Sequence, residues 1–163
     1  MTLGFLSAAA GLFSPDVPLW AVELAPSHVV AIQASRDRQR IITRAVAPLE
    51  GGALIADLRE TNIVDTMAVR DVVQAALDGA GFSGSELSLV IPDEAVRIAL
   101  LNVDSFPGVD PERRAIIRWK LKKNVPFDLD SARVGYQILR EDPRVELLVA
   151  LSREAVAGQY QEE

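Results

Sequence analysis

The 163-residue sequence contains no cysteine. This absence excludes disulfide bonds, thiolate metal sites and a cysteine nucleophile, and it is compatible with a cytosolic location. The single histidine, His28, follows Ser27 directly, and neighbouring residues in a strand turn have no preferred geometry for a catalytic triad. Asp93 and Glu94 resemble paired acids, but we expect them to cap a loop. No metal-ligand spacing, Walker loop or GxSxG elbow is present.

The chain also lacks an apolar run long enough to span a bilayer. Residues 1–13 are apolar and uncharged, without the basic region of a signal peptide, and Ser14-Pro15-Asp16 ends this run. We expect residues 1–18 to be a flexible leader, with a packing arm or a membrane-touching segment as alternatives.

A net charge of −6 argues against a general nucleic-acid binder. With 49% hydrophobic and 25% charged residues, the composition predicts a globular protein.

The first part of the chain predicts strands followed by a helix. Segments rich in β-branched residues at 19–24, 28–34 and 40–46 have short connections, which indicates an antiparallel meander. A helix capped by Asp65 or Thr66 follows, and we expect Gly79 and Gly81 to end it. Residues 87–91 predict a buried strand that Pro92 stops. This order is that of a ribonuclease-H-like or actin-like subdomain, although other α/β units share it.

After Pro92 the pattern changes to strand, helix, strand, strand. Residues 96–103 predict a strand, 110–124 a helix, and 133–139 with 145–151 a hairpin. We expect one sheet with one helix laid over it. A last helix is predicted to begin with Ser152 as its cap. The predicted fold class is therefore α/β (α+β), with two structural units.

The helix at 110–124 is the segment around which the second unit is organised. Asp110 is predicted as its N-cap, with Pro111 at the first helical position and Glu112 in the first turn. Its apolar residues form two stripes, so we expect a helix buried on two sides. The first stripe contains Ala115, Ile116 and Trp119, and the second contains Ile117 and Leu121.

The same helix carries a basic ridge, defined by Arg114, Arg118 and Lys122 at intervals of four residues. Such a ridge is either a solvated face or a contact for anionic lipid head groups or an acidic partner. Beyond the helix, Val125 is predicted to be extended because it precedes Pro126. Phe127 is expected to plug the core at this helix-to-strand turn, and its position would also brace the helix over the sheet and shape any groove beside it.

The combined pattern resembles the N-terminal half of the PilM proteins of type IV pilus assembly. The strongest local match comprises Arg118-Trp119-Lys120, Val125-Pro126-Phe127-Asp128 and Tyr136-Gln137. The family has an aromatic-bearing helix there, then an Ile-Pro-Phe turn and a strand ending in Tyr-Gln. PilM proteins share the actin-like fold of the division protein FtsA and are related to the cytoplasmic part of the type II secretion L protein.

The resemblance implies an organisation, a location and a partner. Residues 19–92 plus 153–163 would form subdomain 1A, and residues 93–152 an inserted subdomain 1C. The protein would be cytoplasmic and peripheral to the inner membrane, and would bind the N-terminal cytoplasmic peptide of a PilN-like membrane protein between 1A and 1C. The candidate groove residues are Ile98, Leu100, Leu101, Val125, Pro126 and Phe127.

The nucleotide loop of the family is degenerate in this sequence. Where the family has a Gly-Ile-Asp-Ile-Gly-Ser-Ser-Ser-Val-Lys type of loop, residues 21–30 place Glu23 at the acid, Ala25 at the second glycine and Ser27 after Pro26. A phosphate loop needs free amides and close backbone approach, which alanine and proline reduce. We therefore expect no ATP or magnesium cofactor and no enzyme. The alternatives are a fragment of an actin-superfamily ATPase, or part of a type II secretion L-like or FtsA-like protein.

Overall fold

The computed structural model describes residues 17–161, which form two β-sheets and three α-helices. The elements are β1 (Trp20–Ala25), β2 (His28–Ala34), β3 (Ile41–Pro48), α1 (Thr66–Ala80), β4 (Ser88–Val90), β5 (Arg97–Val103), α2 (Asp110–Leu121), β6 (Ala132–Arg140), β7 (Val145–Arg153) and α3 (Glu154–Gln159). The predicted mixed α/β class is confirmed. Of the predicted leader at 1–18, residues 1–16 lie outside the described part of the chain.

The first sheet has the strand order β3-β2-β1-β4. β1, β2 and β3 form the predicted antiparallel meander, and β4 lies parallel to β1. Helix α1 provides the crossover that a parallel neighbour requires. Alternate residues of the central strands, such as Val22 and Val29, are buried against Val69 and Ala76 of α1 in one hydrophobic cluster. The period of two in the strands therefore determines which sheet face receives the helix.

At the ends of α1, two of the predicted end residues are observed and a third is not. The Asp65 carboxylate accepts a hydrogen bond from the Ala68 amide at 3.0 Å, so Asp65 is the N-cap. Gly81, with φ at 76°, is the C-cap, because this left-handed conformation favours glycine. Gly79 does not end the helix. A Cβ at residue 79 would lie 3.1 Å from the Ala45 Cβ, so this glycine permits close packing of α1 on β3.

The second sheet has the order β5-β7-β6, with both pairs antiparallel. Its hydrophobic cluster is separate from the first and includes buried residues of β5, β6, β7 and α2. Leu147 and Val149 of β7 are fully buried with Ile117 and Leu121 of α2. The predicted single helix over a single sheet is therefore observed. Because β7 is central, β5 and β6 are both edge strands.

The last helix joins the first hydrophobic cluster. β7 continues to Arg153, so Ser152 is not the predicted helix cap; its buried hydroxyl donates to the Ala95 carbonyl at 3.0 Å. Tyr160, just after α3, is buried in the first cluster, and burial raises the pKa of its phenol. The buried Asn62 side chain donates to the Tyr160 hydroxyl at 2.8 Å. α3 is thus held to the loop that precedes α1.

Candidate functional site

Asp110 does not have the predicted capping role. It is the first residue of α2, the N-cap position is Val109, and no side chain caps this end. The Asp110 carboxylate instead accepts hydrogen bonds from Arg114 Nε at 2.6 Å and from the Tyr136 hydroxyl at 2.8 Å. These two bonds, with Arg114 the stronger cause, lower the pKa of Asp110. The carboxylate therefore links α2 to β6.

The C-terminal end of α2 also differs from the prediction. The helix ends at Leu121, earlier than the predicted Asn124.

The basic ridge is not a continuous solvated column. The Arg114 guanidinium donates to the Val134 carbonyl of β6. Arg118 donates to the carbonyls of Leu129 and Ala132 at 3.0 and 3.3 Å. Of the three residues, Lys122 is exposed, and Arg114 and Arg118 are partly buried. Because β6 is an edge strand, these two arginines occupy backbone acceptors that another chain would otherwise use.

Trp119 is exposed, contrary to the prediction of a helix buried on two sides. Its exposed fraction is 74%, Ala115 of the same stripe is exposed, and Ile116 is half-buried. In the described chain the sheet covers one side of α2, and Ile117 and Leu121 occupy that side. The other stripe faces solvent. An exposed tryptophan beside lysines is a surface that a partner can contact.

The side chains of β5 that point away from α2 form an exposed apolar surface. Ile98 and Leu100 are 53% and 61% exposed, whereas the alternate residues pack against the second cluster. In register, Ile98 pairs with Ala150 and Leu100 with Leu148 of β7. Paired residues of an antiparallel sheet point to the same face. We call Ile98, Leu100, Leu148 and Ala150 the β5 surface.

The four edge strands differ in how they are protected. The β6 edge is occupied by the two arginines of α2, and β4 has only three residues. β3 carries the charged Arg44, ends at Pro48 and has a register irregularity opposite Gln33 and Ala34, all of which oppose further strand pairing. β5 has seven residues in regular register with β7, and its one charged residue, Arg97, is the first of the strand. Within residues 17–161, β5 is therefore the edge most open to an added strand.

The six predicted groove residues do not line one surface. Ile98 and Leu100 lie on the β5 surface. Leu101, Val125 and Phe127 are partly buried against the second cluster instead. Pro126 is exposed in the turn between α2 and β6. The strand and the turn are separated because β7 lies between β5 and β6.

A shallow pocket that the sequence did not predict lies where α3 meets the start of β6. Its lining residues are Ser131, Arg153, Glu154, Ala155, Gly158 and Gln159. Arg133 donates to both carboxylate oxygens of Glu154, at 2.8 and 2.5 Å, and these bonds lower the pKa of Glu154. The Glu154 charge is thus already paired. The pocket is open and no large apolar side chain lines it, which makes it a weaker candidate than the β5 surface.

The degenerate nucleotide loop is a tight hairpin turn. Pro26 and Ser27 alone connect β1 to β2, and the Ser27 hydroxyl lies 3.0 Å from His28 Nδ1. Ala25 pairs with His28 across the hairpin, and Glu23 is an exposed residue of β1 that pairs with Val30. Within residues 17–161, no three or more histidine or acidic side chains are grouped to hold a metal ion.

The arrangement of the two sheets is found in a known structure. A chain of the PilM-PilN type IV pilus biogenesis complex matches 91% of this chain with a TM-score of 0.74, at 18% sequence identity. The fold is PilM-like. The cytoplasmic domain of EpsL, an inner-membrane component of the type II secretion system of Vibrio cholerae, matches 88% of the chain with a TM-score of 0.50, at 11% identity. The predicted resemblance and the predicted actin-like fold are confirmed.

The PilM-like chain spans only part of these proteins. It covers 44% of the matched chain of the PilM-PilN complex and 52% of the EpsL chain. No protein-family model and no curated protein matches the sequence. None of the helices within residues 17–161 is long and apolar enough to cross a membrane.

Proposed function

We propose that this PilM-like chain is a protein–protein interaction module of the type IV pilus inner-membrane assembly platform, and that it binds the N-terminal cytoplasmic peptide of a PilN-like membrane protein. The observation that carries the proposal is the open edge of β5, with two large apolar side chains exposed beside it. The matched solved structure is itself a complex of PilM with PilN. A role in a type II secretion platform is the related alternative, since EpsL has a similar fold.

The peptide would bind by adding a strand to β5. Half of the backbone N–H and C=O groups of an edge strand point away from its neighbour and are available to an extended peptide. Ile98 and Leu100 would contact apolar side chains of that peptide, and Leu148 would extend the contact onto β7. The backbone hydrogen bonds would supply affinity, and the apolar contacts would favour peptides with small apolar side chains at the contacting positions.

The subdomain boundaries are part of the same proposal. Subdomain 1A would comprise residues 19–92 and 153–163, and subdomain 1C residues 93–152. The two separate hydrophobic clusters support this division, because Val156 and Tyr160 pack with the first cluster and α2 with the second. β5 begins at Arg97, two residues after Ala95, which is a buried member of the first cluster. A peptide on β5 would therefore start at the junction of 1A and 1C.

The experiment that tests the function is a calorimetric titration of the chain with the N-terminal cytoplasmic peptide of a PilN-like protein from the same organism. We expect saturable binding of one peptide per chain, because a single open edge is proposed. A peptide with the same composition in scrambled order is the control. The absence of heat at high protein concentration, or equal binding of the scrambled peptide, would contradict the proposal.

We further propose that the chain acts without ATP or magnesium and is not an enzyme. Support comes from the two-residue turn, in which Pro26 has no N–H to offer a phosphate. Equilibrium dialysis of the chain and of any longer protein that contains it, with ATP and magnesium, is expected to show no saturable binding. Tight binding by the longer protein would favour the alternative of an actin-superfamily ATPase.

A further inference from the structure

Helix α2 has an exposed side whose residues follow helical spacing. Exposed residues occur at positions 112, 115, 119 and 123, at intervals of three and four, so they lie along one side of the helix. Ile117 and Leu121, which are buried against the second sheet, lie on the opposite side. We call the exposed side, with its half-buried member Ile116, the α2 outer face, and its residues are Glu112, Ala115, Ile116, Trp119 and Lys123.

The two ends of the α2 outer face carry opposite charges. Glu112 lies in the first turn of the helix. Lys122, the C-cap, retains α-helical dihedral angles (φ −52°, ψ −29°), so Lys123 continues the helical spacing and lies about 16 Å from Glu112 along the axis. Within residues 17–161, neither Glu112 nor Lys123 forms an ion pair. By contrast, Asp110 and Arg114 of the same helix pair with each other at 2.6 Å.

The middle of the α2 outer face is apolar, and Trp119 dominates it. At 74%, Trp119 is the most exposed of the large apolar side chains in the described part of the chain. Ala115 and Ile116 lie one turn before it, and the small Ala115 side chain leaves room for a bulky ring beside it. Tryptophan is among the residue types most enriched at the energetic centres of protein interfaces. The face therefore contains both an anchor residue and a place that can receive one.

The α2 outer face is complementary to itself when two copies of the helix run antiparallel. A two-fold axis that places Glu112 of one copy opposite Lys123 of the other passes between residues 117 and 118, and the symmetry repeats every contact. The same axis places Trp119 opposite Ile116 of the second copy and beside its Ala115. Two ion pairs then flank two tryptophan contacts. A parallel pair would instead bring like charges together at both ends.

We propose that two copies of this chain associate through the α2 outer face as an antiparallel dimer with two-fold symmetry. One helix pair buries less than the roughly 1,600 Å² of a standard interface, so we expect a dissociation constant no lower than about 1 μM. The β5 surface faces away from α2 and stays free in both copies. The function proposed above does not depend on this dimer.

A uniformly anionic partner, such as a bilayer surface, fits this face less well than a second copy does. The three lysines of the chain, Lys120, Lys122 and Lys123, all lie at the C-terminal end of α2 and would attract such a partner. Glu112 at the other end of the face and Asp128 just after the helix are exposed and would repel it. A second copy presents both signs of charge in the order that the face requires.

The first test is sedimentation velocity of the full 163-residue chain at concentrations up to about 1 mM. We expect a monomer–dimer equilibrium, and we expect the Trp119→Ala variant to dimerise at least about 30-fold more weakly, as for an interface anchor. Fluorescence reports the same contact. The chain has two tryptophans, and Trp20 is only 8% exposed, so a blue shift of the emission with increasing concentration would come from Trp119.

Exchange of charges tests the antiparallel register. Glu112→Lys and Lys123→Glu each place like charges opposite one another at both ends of the dimer, so each variant is expected to dimerise about tenfold more weakly. An equimolar mixture of the two variants regains both ion pairs and is expected to dimerise as tightly as the unchanged chain. Asp71→Lys and Arg36→Glu, at exposed positions outside α2, make the same changes in net charge and are the matched controls.

Four outcomes would overturn the proposal. They are a chain that stays monomeric at about 1 mM, undiminished dimerisation of the Trp119→Ala variant, a mixture of charge variants that dimerises no more tightly than its components, and an equal loss in the control variants. A monomeric chain whose Trp119 emission shifts with phosphatidylglycerol vesicles would assign the face to a bilayer instead. Circular dichroism of each variant verifies that the replaced surface residues leave the fold intact.

Discussion

Replacement of Ile98 and Leu100 with aspartate is expected to weaken binding of the PilN-like peptide by about 100-fold or more. Each side chain is more than half exposed in the free chain and would be buried by the peptide. Full burial of such a side chain is worth about 1.5–3 kcal/mol, and 1.4 kcal/mol corresponds to a factor of ten. Replacement with aspartate removes this burial free energy and would also place a charge in an apolar contact. The calorimetric titration measures the change directly.

The matched control is the double variant Ile42→Asp and Val46→Asp. These residues are 60% and 51% exposed, close to the values for Ile98 and Leu100, and they also lie on an edge strand, β3. We expect this variant to bind the peptide as the unchanged chain does. Equal loss in both variants would indicate binding without preference for β5. The milder replacement of Ile98 and Leu100 with alanine, which leaves the strand uncharged, is expected to weaken binding by about tenfold.

Replacement of Ile117 with alanine is expected to lower the free energy of unfolding by about 2–5 kcal/mol, whereas replacement of Trp119 with alanine is expected to change it by less than about 1 kcal/mol. Ile117 is fully buried between α2 and β7, so its loss removes apolar burial and leaves a cavity. Trp119 is the larger side chain, but it is 74% exposed. Urea unfolding followed by circular dichroism gives both values.

The pair Ile117 and Trp119 tests which side of α2 is covered. If the Trp119 variant lost more stability than the Ile117 variant, the helix would be buried on the side that the structure leaves open. The assignment of the second cluster would then be wrong. Alanine suits both positions as a replacement, because it has the highest helix propensity and adds no new polar group.

The strands and helices were predictable because their residue patterns are local. The three segments of the meander, the Asp65 cap and the β6–β7 hairpin follow from β-branched runs and turn residues within a few positions of each other. The burial of α2 was not predictable in the same way. Both of its apolar stripes have helical spacing, and no local pattern states how many sides of a helix are covered. The structure covers one, so Ile117 is buried and Trp119 is exposed.

The candidate site depended on contacts between distant residues. Arg114 and Lys122 looked equivalent in sequence, but only Arg114 reaches a backbone carbonyl of β6. The order β5-β7-β6 places a whole strand between Ile98 and the turn that contains Pro126. Helical spacing and strand alternation correctly placed Ile98 and Leu100 on one face. They could not show that β5 would be the open edge, since edge positions are decided by pairing across the sheet.

The central claim is that β5 is where the partner peptide binds, and the most direct test is a titration of the isotope-labelled chain with that peptide, followed by backbone amide NMR. We predict that the largest shifts fall on residues 97–103, with smaller shifts at Leu148 and Ala150 of the neighbouring strand. Amides of β5 should also become protected from hydrogen exchange as the peptide pairs with them. Shifts concentrated at Ser131 and residues 153–159, around the shallow pocket, would contradict the account.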